Sequence, residues 1–481
     1  MKNITLLALS VLILTTCIFA QPDTLWTKTF GGAGSDRGFI VRQTTDDGFI
    51  LVGETNSFGA GMYDFYLIKT DASGIEQWNQ TFGGSGLDYG SCVQQTSDGG
   101  YIIVGGTTFY GAGGYDIYLI KTDASGTEQW SRTFGGSDFE QGYSVQQTSD
   151  GGYIVAGGSA SFGAGSDDVY LIKTDASGNE QWSQTYGGSN SDWGYSVQQT
   201  SDGGYIITGI TWSYGAGSYD IYLIKTDSLG FEQWSQTFGG IDDDYGYSVQ
   251  QTDDGGYIVA GGIYSNGTGS MDVYLIKTDA SGIEQWSQTF GGDGSDEGMS
   301  VQQTSDGGYI ITGYTGVHPD YDVYLFKTDG SGIEQWSQTF GGSSTDKGNC
   351  VQRTGDGGYI ITGYTESYGA GNSDFWLIRL DSETGIIQGD EPQPLTYSLL
   401  PAYPNPFNPT TLIRFQMPVA GNVQIQVYDV QGNLAATLAD GWQKAGSYQA
   451  SFDANHLPSG IYFARLTAGD FTQTQKLVLL K

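Results

Sequence analysis

Aromatic and acidic side chains recur together along most of this chain, at a spacing of roughly fifty residues. The aromatic series stands in Ser-[Phe/Tyr]-Gly-Ala-Gly and related loops and consists of Phe58, Tyr110, Phe162, Tyr214 and Tyr368. An acidic residue then opens the apolar strand that follows each loop, and this series includes Asp64, Asp116, Asp168 and Asp220. Exposed aromatic rings can stack on sugar rings while carboxylates accept hydrogen bonds from hydroxyl groups. These residues are our candidate ligand-binding set, with a glycan as the expected ligand.

A second acidic series occupies the loop after each Gly-Gly pair. Its members are Asp36, Asp88, Glu140, Asp192, Asp244, Asp296 and Asp346. Ca²⁺ prefers oxygen ligands. The candidate calcium ligands of this series are therefore Asp88, Asp192, Asp244 and Asp296. Beyond Ca²⁺ the sequence indicates no cofactor. The alternative is that both acidic series cap loop turns and that the aromatic residues pack the loops down.

Catalytic chemistry has weaker support in the sequence. The two histidines, His318 and His456, have no His or Cys partner at metal-ligand spacing. No nucleophile elbow, phosphate-binding loop or dinucleotide fingerprint occurs in its proper context. Paired carboxylates, which glycoside hydrolysis requires, keep a glycan-degrading hydrolase as the alternative function. An active site is normally singular, whereas these acids recur in every repeat, so the pattern favours binding over catalysis.

The elements that must position these residues are short β-strands. The repeats open at Trp26, Trp78, Trp130, Trp182, Trp234, Trp286 and Trp336. Asp-Gly-Gly and Asp-Ala-Ser-Gly segments predict two tight hairpins per repeat, and hence a four-stranded antiparallel sheet. The middle strands, such as Val169-Tyr170-Leu171-Ile172, are apolar on both faces, so each sheet must lie between others. Seven sheets around one axis form a β-propeller, which we predict; a parallel β-helix is the alternative.

The phase of the repeats predicts ring closure. The first repeat begins with a Trp strand at residues 25–30, and the seventh stops one strand short of a full sheet. The N-terminal strand can complete the seventh sheet and leave no open edge. Cys92 and Cys350 then lie in units two and seven, with unit one between them. Because packed sheets lie about 10 Å apart, we predict that both thiols are free.

Composition and the first residues indicate an exported protein. Residues 1–20 combine Lys2, an apolar run and Ile18-Phe19-Ala20, which predicts a cleaved export signal, with Cys17 as a weaker lipidation candidate. No later segment is long and apolar enough to be a membrane-spanning helix. The net charge is −34, from 53 acidic and 19 basic residues. Such a surface repels nucleic acid phosphates, so we expect no nucleic acid partner.

Several motifs resemble known families. The Asp-Ala-Ser-Gly-x-Glu-Gln-Trp turn is similar to turns of quinoprotein-like propellers, and Thr-Ser-Asp-Gly-Gly-Tyr resembles the Asp-box hairpin of sialidase-type propellers. Both motifs are structural in those families, so they imply a fold and no catalytic role. Tyr403-Pro404-Asn405-Pro406-Phe407 and the alternating strands that end at Lys481 resemble the C-terminal sorting domain of type IX secretion cargo. That domain is an Ig-like β-sandwich, similar to the flagellar hook-capping Ig-like module.

The expected fold class is all-β: a seven-bladed β-propeller followed by an Ig-like β-sandwich. The expected segments are a signal peptide at 1–20, the propeller at 21–381, a linker at 382–396 and the sorting domain at 397–481. The resemblance implies the type IX secretion machinery as a partner and a location outside the cell, secreted or on the outer-membrane surface. We therefore expect a surface-displayed module that binds a glycan or another extracellular partner, or serves in adhesion.

Overall fold

The computed structural model describes residues 21–264, 270–383, 396–443, 446–455, 457–469 and 471–481. The predicted export signal, Cys17, His456 and most of the predicted linker lie outside these residues. The chain divides into two compact units, Gln21–Thr384 and Gly385–Lys481, and each is described by itself. None of the described residues belongs to a helix that could cross a membrane.

The described part of the first unit consists of short strands. The strands of its first half are β1 (Thr24–Phe30), β2 (Asp36–Gln43), β3 (Phe49–Thr55), β4 (Asp64–Thr70), β5 (Glu76–Phe82), β6 (Asp88–Gln95), β7 (Tyr101–Thr107), β8 (Asp116–Thr122), β9 (Glu128–Phe134), β10 (Glu140–Gln147), β11 (Tyr153–Ser159), β12 (Asp168–Thr174) and β13 (Glu180–Tyr186). The strands of its second half are β14 (Asp192–Gln199), β15 (Tyr205–Thr211), β16 (Asp220–Thr226), β17 (Glu232–Phe238), β18 (Asp244–Gln251), β19 (Tyr257–Ile263), β20 (Asp272–Thr278), β21 (Glu284–Phe290), β22 (Glu297–Gln303), β23 (Tyr309–Val317), β24 (Asp320–Thr328), β25 (Glu334–Phe340), β26 (Asp346–Arg353), β27 (Tyr359–Thr365) and β28 (Asp374–Leu380).

These strands form seven four-stranded antiparallel sheets, which are the blades of a β-propeller. Blade 1 is β2–β5, and each following group of four strands forms the next blade, up to blade 6 at β22–β25. Blade 7 combines β26, β27 and β28 with β1, which pairs antiparallel with β28 from Phe30 opposite Phe375 to Thr24 opposite Leu380. The predicted seven-bladed fold is confirmed. A parallel β-helix is not formed, because successive strands pair antiparallel through tight hairpins.

The propeller has two faces, at opposite ends of its axis. The first strand of each blade, the inner strand, contacts the inner strands of both neighbouring blades and surrounds the axis. The end that carries the two tight hairpins of blades 1–6 and the single tight hairpin of blade 7 is called the hairpin face. The opposite end carries the loops between second and third strands and the loops that lead into the next blade, and it is called the loop face. All candidate binding residues lie on the loop face.

The core lies between neighbouring blades. The third strand of blade 3, β12, is buried along its whole length, so both of its faces pack against other sheets. Leu171 on this strand clusters with Val197 and Ile207 of blade 4. The repeated Trp of the outer strand completes each contact: the Trp182 ring lies 5.9 Å from the Tyr205 ring, between centroids. A Cβ on Gly230 would lie 2.6 Å from the Trp182 ring, so this hairpin position requires glycine.

On the hairpin face, a buried lysine in each of blades 1–5 ties the two hairpins of its blade together. In blade 3, the Lys173 Nζ lies 3.0 Å from Asp150 Oδ2 in the first hairpin. It also donates to the Thr174 carbonyl at 2.8 Å and to Gln181 Oε1 at 3.2 Å beside the second hairpin. Arg379 takes this position in blade 7 and pairs with Asp356. The repeated Asp, Lys and Gln of the sequence are therefore parts of the frame.

Side chains of the inner strands link the blades around the axis. The backbone N–H of Gln199 donates to Gln146 Oε1 at 2.6 Å, and the N–H of Val197 donates to Ser144 Oγ at 3.2 Å. Cys92 and Cys350 occupy the position of this serine in blades 2 and 7. Both are buried and free, and blade 1 separates their strands, so the prediction of free thiols is confirmed.

The second unit is a two-sheet β-sandwich. Its strands are β29 (Ser398–Tyr403), β30 (Thr410–Met417), β31 (Gly421–Asp429), β32 (Leu434–Gln443), β33 (Gly446–Asp453), β34 (Gly460–Ala468) and β35 (Phe471–Leu479). One sheet has the order β29-β30-β33 and the other β32-β31-β34-β35, and their facing residues share one core. Asn405 fastens the Pro-rich motif to the last strand, because its Oδ1 accepts the N–H of Val478 at 2.9 Å. Phe407 beside it is buried in the core. The Ig-like classification of this sandwich stays a prediction.

Candidate functional site

The acids at the start of the inner strands are buried and cap the loops that precede them. The N–H groups of Gly84 and Gly188 donate to Asp88 and Asp192 at 2.7 and 2.9 Å. The same bond joins Gly240 to Asp244 at 2.6 Å and Gly292 to Asp296 at 2.8 Å. Among the described residues, no group of three or more His, Cys, Asp or Glu side chains could hold a metal ion. The four candidate calcium ligands lie in four different blades. They do not form a carboxylate-rich calcium centre.

The acids at the start of the third strands also accept loop N–H groups. Asp64 Oδ2 accepts the N–H groups of Ala60 and Gly61 at 3.0 and 3.1 Å. Equivalent pairs of bonds are made by Asp116, Asp168 and Asp220. All four side chains are buried. Turn capping, the alternative considered from the sequence, accounts for their recurrence; a role in ligand binding stays a prediction.

The two acidic series meet between blades. A Cβ on Gly83 would lie 2.4 Å from Asp64 Oδ1 and 2.7 Å from Asp88 Oδ2, so both carboxylates surround this glycine. Burial raises the pKa of Asp64; the loop N–H groups oppose this shift, and the neighbouring Asp88 carboxylate adds to it. The same arrangement raises the pKa values of Asp116, Asp168 and Asp220.

The candidate loop aromatics are partly packed and partly exposed. Phe58, Tyr110, Phe162, Tyr214 and Tyr368 keep between 41 and 48 % of their surface exposed. Each ring packs on the aromatic residue of the adjacent third strand: Phe162 lies 5.5 Å from Tyr170 and Tyr368 lies 5.4 Å from Trp376, between ring centroids. The Tyr368 hydroxyl also donates to the Gly341 carbonyl at 2.7 Å. Tyr368 and Trp376 line a cavity of about 540 Å³ between blades 6 and 7. Glycan binding by these rings stays a prediction.

A second set of loop-face residues was missed from the sequence. The position after the capping acid of each inner strand varies from blade to blade, and these residues surround the axis. We call them the mouth ring: Arg37, Tyr89, Gln141, Trp193, Tyr245, Glu297 and Lys347. The signal that could have found them is this one variable position inside an otherwise repeated motif, Asp/Glu-x-Gly.

One side of the mouth is a continuous series of aromatic rings, here called the aromatic arc. In order of contact, its members are Tyr89, Tyr115, Phe139, Trp193, Tyr143, Tyr195, Tyr247, Tyr245, Tyr219 and Trp212, with successive centroids 4.8 to 6.2 Å apart. A Cβ on Gly158 would lie 2.2 Å from the Trp193 ring, so a glycine is needed for the indole to lie on β11. The arc is built from blades 2–5 only, and the sevenfold repeat is broken there.

The other side of the mouth carries charge. Arg37 Nη1 lies 3.4 Å from Glu54 Oε1, and the Arg37 guanidinium lies 5.1 Å from the Tyr364 ring centroid. The Lys347 Nζ lies 3.4 Å from the Tyr314 ring centroid. Burial lowers the pKa of Lys347, and burial raises that of Glu54 although Arg37 opposes the shift. Blades 6, 7 and 1 thus supply an ionic half that faces the aromatic half.

A cavity of about 530 Å³ lies where the two halves meet. Tyr245, Tyr247 and Tyr264 form its aromatic walls, and Asp242, Asp243 and Glu297 contribute its carboxylates. The Tyr245 and Tyr247 rings are stacked, with centroids 5.9 Å apart and planes 2° apart. A concave site with aromatic walls and a few polar groups is the usual form of a small-ligand pocket.

Comparison with known proteins identifies the second unit. Residues 401–480 match the secretion system C-terminal sorting domain family. The second unit is therefore a type IX secretion sorting domain, which indicates secretion and cell-surface attachment and implies interaction with that secretion system.

Similarity elsewhere is weaker. A regulatory protein of Caulobacter vibrioides, FlaEY, is 28 % identical over 110 residues, which cover 20 % of this chain and 12 % of that protein. The surface component PorZ of the type IX secretion system of Porphyromonas gingivalis is 10 % identical, with a TM-score of 0.44 over 94 % of this chain and 60 % of that one. The polysaccharide lyase Uly1 is 11 % identical, with a TM-score of 0.44 over 73 % of this chain and 91 % of that one. At these values the similarities establish no shared function.

Proposed function

We propose that the propeller is a surface-displayed binding module that recognises an extracellular glycan at the mouth of its loop face. The observation that carries this proposal is the aromatic arc, ten contacting rings gathered at one end of the axis. Aromatic faces suit sugar rings because the C–H groups of a sugar can stack on them while hydroxyls reach nearby polar groups. The adjoining carboxylates and the ionic half supply such polar groups.

The arc is better suited to this role than the repeated residues. Rings that only fill the interior of a propeller would recur in each blade, as Tyr101 and Tyr153 do on the second strands. The arc instead combines residues from variable positions of four neighbouring blades. Because the residues around the mouth differ from blade to blade, this surface occurs once in the propeller, as a binding site does.

The loop aromatics are proposed as an outer extension of the same surface. Their half-exposed rings lie on the loop face, and Tyr368 lines a cavity between blades 6 and 7. A glycan hydrolase remains the second reading of the sequence, but the repeated carboxylate pairs that suggested it are used by loop N–H groups. We therefore propose binding as the function, and the reducing-sugar assay in the test below detects hydrolysis.

The test is a glycan-array screen of the full chain with a parallel reducing-sugar assay on every glycan that binds. Trp193→Ala should weaken binding about 5- to 150-fold, which corresponds to the 1–3 kcal/mol measured for aromatic stacking on nucleic acid bases. The outer triple variant Tyr110→Ala, Phe162→Ala and Tyr214→Ala should reduce affinity less. Thermal unfolding of each variant controls for loss of the fold. Retention of full affinity by a folded Trp193→Ala protein, or an array without any binder, would contradict the proposal; release of reducing ends would favour the hydrolase.

A further inference from the structure

Glu297 lies between two groups of tyrosines at the mouth. On one side, the hydroxyl of Tyr314 donates to Glu297, and the Lys347 ammonium lies 3.4 Å from the Tyr314 ring centroid and 4.8 Å from that of Tyr321. This is a tyrosine cage around an ammonium, with a carboxylate beside it, and the chain fills it with its own lysine. Such cation–π contacts become stronger when the cation is shielded from water.

On the other side, Glu297 forms a wall of the cavity of about 530 Å³ described above. Tyr247 hydrogen-bonds to Glu297, and Tyr245 stacks on Tyr247. The third ring, Tyr264, lies on the same cavity. The components of the first cage, tyrosine rings beside Glu297, thus occur again around a cavity that is lined by no Lys or Arg of the described residues.

The charge of this cavity is one-sided. Asp242, Asp243 and Glu297 line it, and none of the described residues that line it is basic. Burial raises the pKa of Tyr245 to about 12, and the Asp243 carboxylate contributes in the same direction. Burial also raises the pKa of Tyr264, with Glu297 as the next cause. The carboxylates that add to these two shifts create a negative potential, and this potential favours a bound cation.

We propose that this cavity binds a protonated primary amine of the glycan, so that the ligand class is a polysaccharide or oligosaccharide with unacetylated amino sugars. The inference rests on the proposed function and refines it. A cavity of this size admits a sugar residue, and Tyr245 and Tyr247 belong both to its wall and to the aromatic arc. One end of a glycan can thus insert its ammonium beside Glu297 while the next sugars stack along the arc.

A bare metal ion fits this cavity less well. The described residues contain no group of three or more acidic, His or Cys side chains arranged to hold a metal. Three of the walls are aromatic rings, whose faces attract organic cations and offer no ligand oxygen except their hydroxyls. The acidic surface as a whole, with a net charge of −34, also attracts a polycationic glycan and repels an acidic one.

The experiment compares two matched probes by titration calorimetry on the full chain. One probe is a β-1,4-linked glucosamine tetramer, and the other is the same tetramer with every amine acetylated. We expect the wild-type protein to bind the amine tetramer at least tenfold more tightly. Glu297→Gln and Asp243→Asn should each reduce that preference, and together they should abolish it.

The controls separate this inference from the proposed function. Asp138→Asn removes an acid from the position in blade 3 that corresponds to Asp242 in blade 5, outside the cavity, and should leave the preference unchanged. Trp193→Ala should weaken both probes equally. Equal affinity for the two tetramers, or array binders that all lack amines, overturns the amine site but leaves glycan binding intact. Absence of any glycan binder overturns both. Unfolding curves identify a variant that has lost its fold. If Glu297→Gln is such a variant, the preference of Asp243→Asn for the amine tetramer alone decides the test.

Discussion

The two faces of the propeller differ in how strictly they keep the repeat. On the hairpin face, the Lys173–Asp150 pair of blade 3 has counterparts in all other blades, with Arg379 as the one change of residue type. On the loop face, the mouth ring changes from blade to blade. Residues that keep the repeat belong to the frame, whereas residues that depart from it form the surface available for recognition.

The largest effect should follow from breaking the frame at its closure. Removing residues 23–30 deletes the outer strand of blade 7 and leaves β28 as an open edge. It also removes Trp26, whose ring lies 6.1 Å from that of Phe49 in blade 1. We expect a loss of more than about 4 kcal/mol in the free energy of unfolding, since a whole strand and an interblade contact are lost.

Chemical denaturation of the full chain with and without these residues measures this loss. A deletion of residues 471–481 is the matched control, because it removes a terminal strand from the other unit and should leave the propeller transition in place. If the propeller of the chain without residues 23–30 unfolds at the same denaturant concentration as that of the intact chain, closure of the ring does not stabilise the propeller.

The next prediction separates the two faces directly. Lys173→Met removes the Nζ that joins both hairpins of blade 3 and leaves the Thr174 carbonyl and Gln181 without this donor. We expect a loss of about 2–3 kcal/mol of stability and no change in glycan affinity. Trp193→Ala should show the reverse, with weaker binding and a smaller loss of stability.

Thermal unfolding and glycan titration of the same two protein samples provide the measurements. Lys225→Met in blade 4 is a second copy of the frame change and should reproduce the first. A lysine variant that binds more weakly while staying folded would show that the two faces are coupled and do not have separate roles.

The frame could be predicted from the sequence because each of its contacts is local or repeats at a fixed offset. The hairpins follow from Asp-Gly-Gly, and Trp182 meets Tyr205 in the next blade as each Trp does around the ring. The mouth could not be predicted in the same way. Trp193 and Tyr143 lie fifty residues apart in different blades, and their contact depends on how the inner strands converge on the axis.

The candidate site was therefore only partly foreseen. The sequence placed the binding surface on the loop face, where the mouth also lies, but it selected the repeated Phe162 and Asp168. In the structure Asp168 accepts loop N–H groups and Phe162 packs on Tyr170. A residue that recurs in every blade is easily recognised in the sequence, but it recurs because the architecture needs it in every blade. Burial of their polar atoms, which decides between capping and binding, is not visible without the loop conformation.

The pH dependence of stability should distinguish the faces with a smaller effect. On the hairpin face, partial burial would raise the pKa of Asp150, but hydrogen bonds from Thr148 and Lys173 hold it at about 2. Its pKa is lowered by folding, so its contribution is present above the ordinary value and is lost as pH falls towards 2. On the loop face, burial raises the pKa of Asp168, so its contribution is present in acid and is lost as pH rises through the raised value.

Denaturation curves between pH 2 and 8 measure this opposition. Asp150→Asn should reduce the loss of stability at the acid end, whereas Asp168→Asn should reduce the loss towards neutral pH. The effect of Asp150 should be modest and should shrink in high salt, because its side chain is 57 % exposed. Two variants with the same change in pH profile would contradict the assigned directions.

The smallest effect concerns a single departure from the repeat on the hairpin face itself. Blade 1 has Asp47 where five other blades have a glycine with a φ of +83° to +85° and blade 7 has one with +90°. Asp47 has a φ of 63°, in the left-handed region that costs a non-glycine residue about 1–2 kcal/mol, less for Asp. Asp47→Gly relieves this strain but gives the unfolded chain more freedom, so we expect a net gain of only about 0.5 kcal/mol in the free energy of unfolding.

Asp47→Asn keeps a side chain that tolerates this conformation and removes the charge, so it separates strain from electrostatic repulsion. Gly151→Asp, at the same turn of blade 3, should lose stability by a similar amount, since a Cβ there meets no atom within 4 Å and only the backbone conformation matters. If Asp47→Asn stabilises the chain as much as Asp47→Gly, charge is the cause, and the departure in blade 1 belongs with the acidic surface and not with the turn.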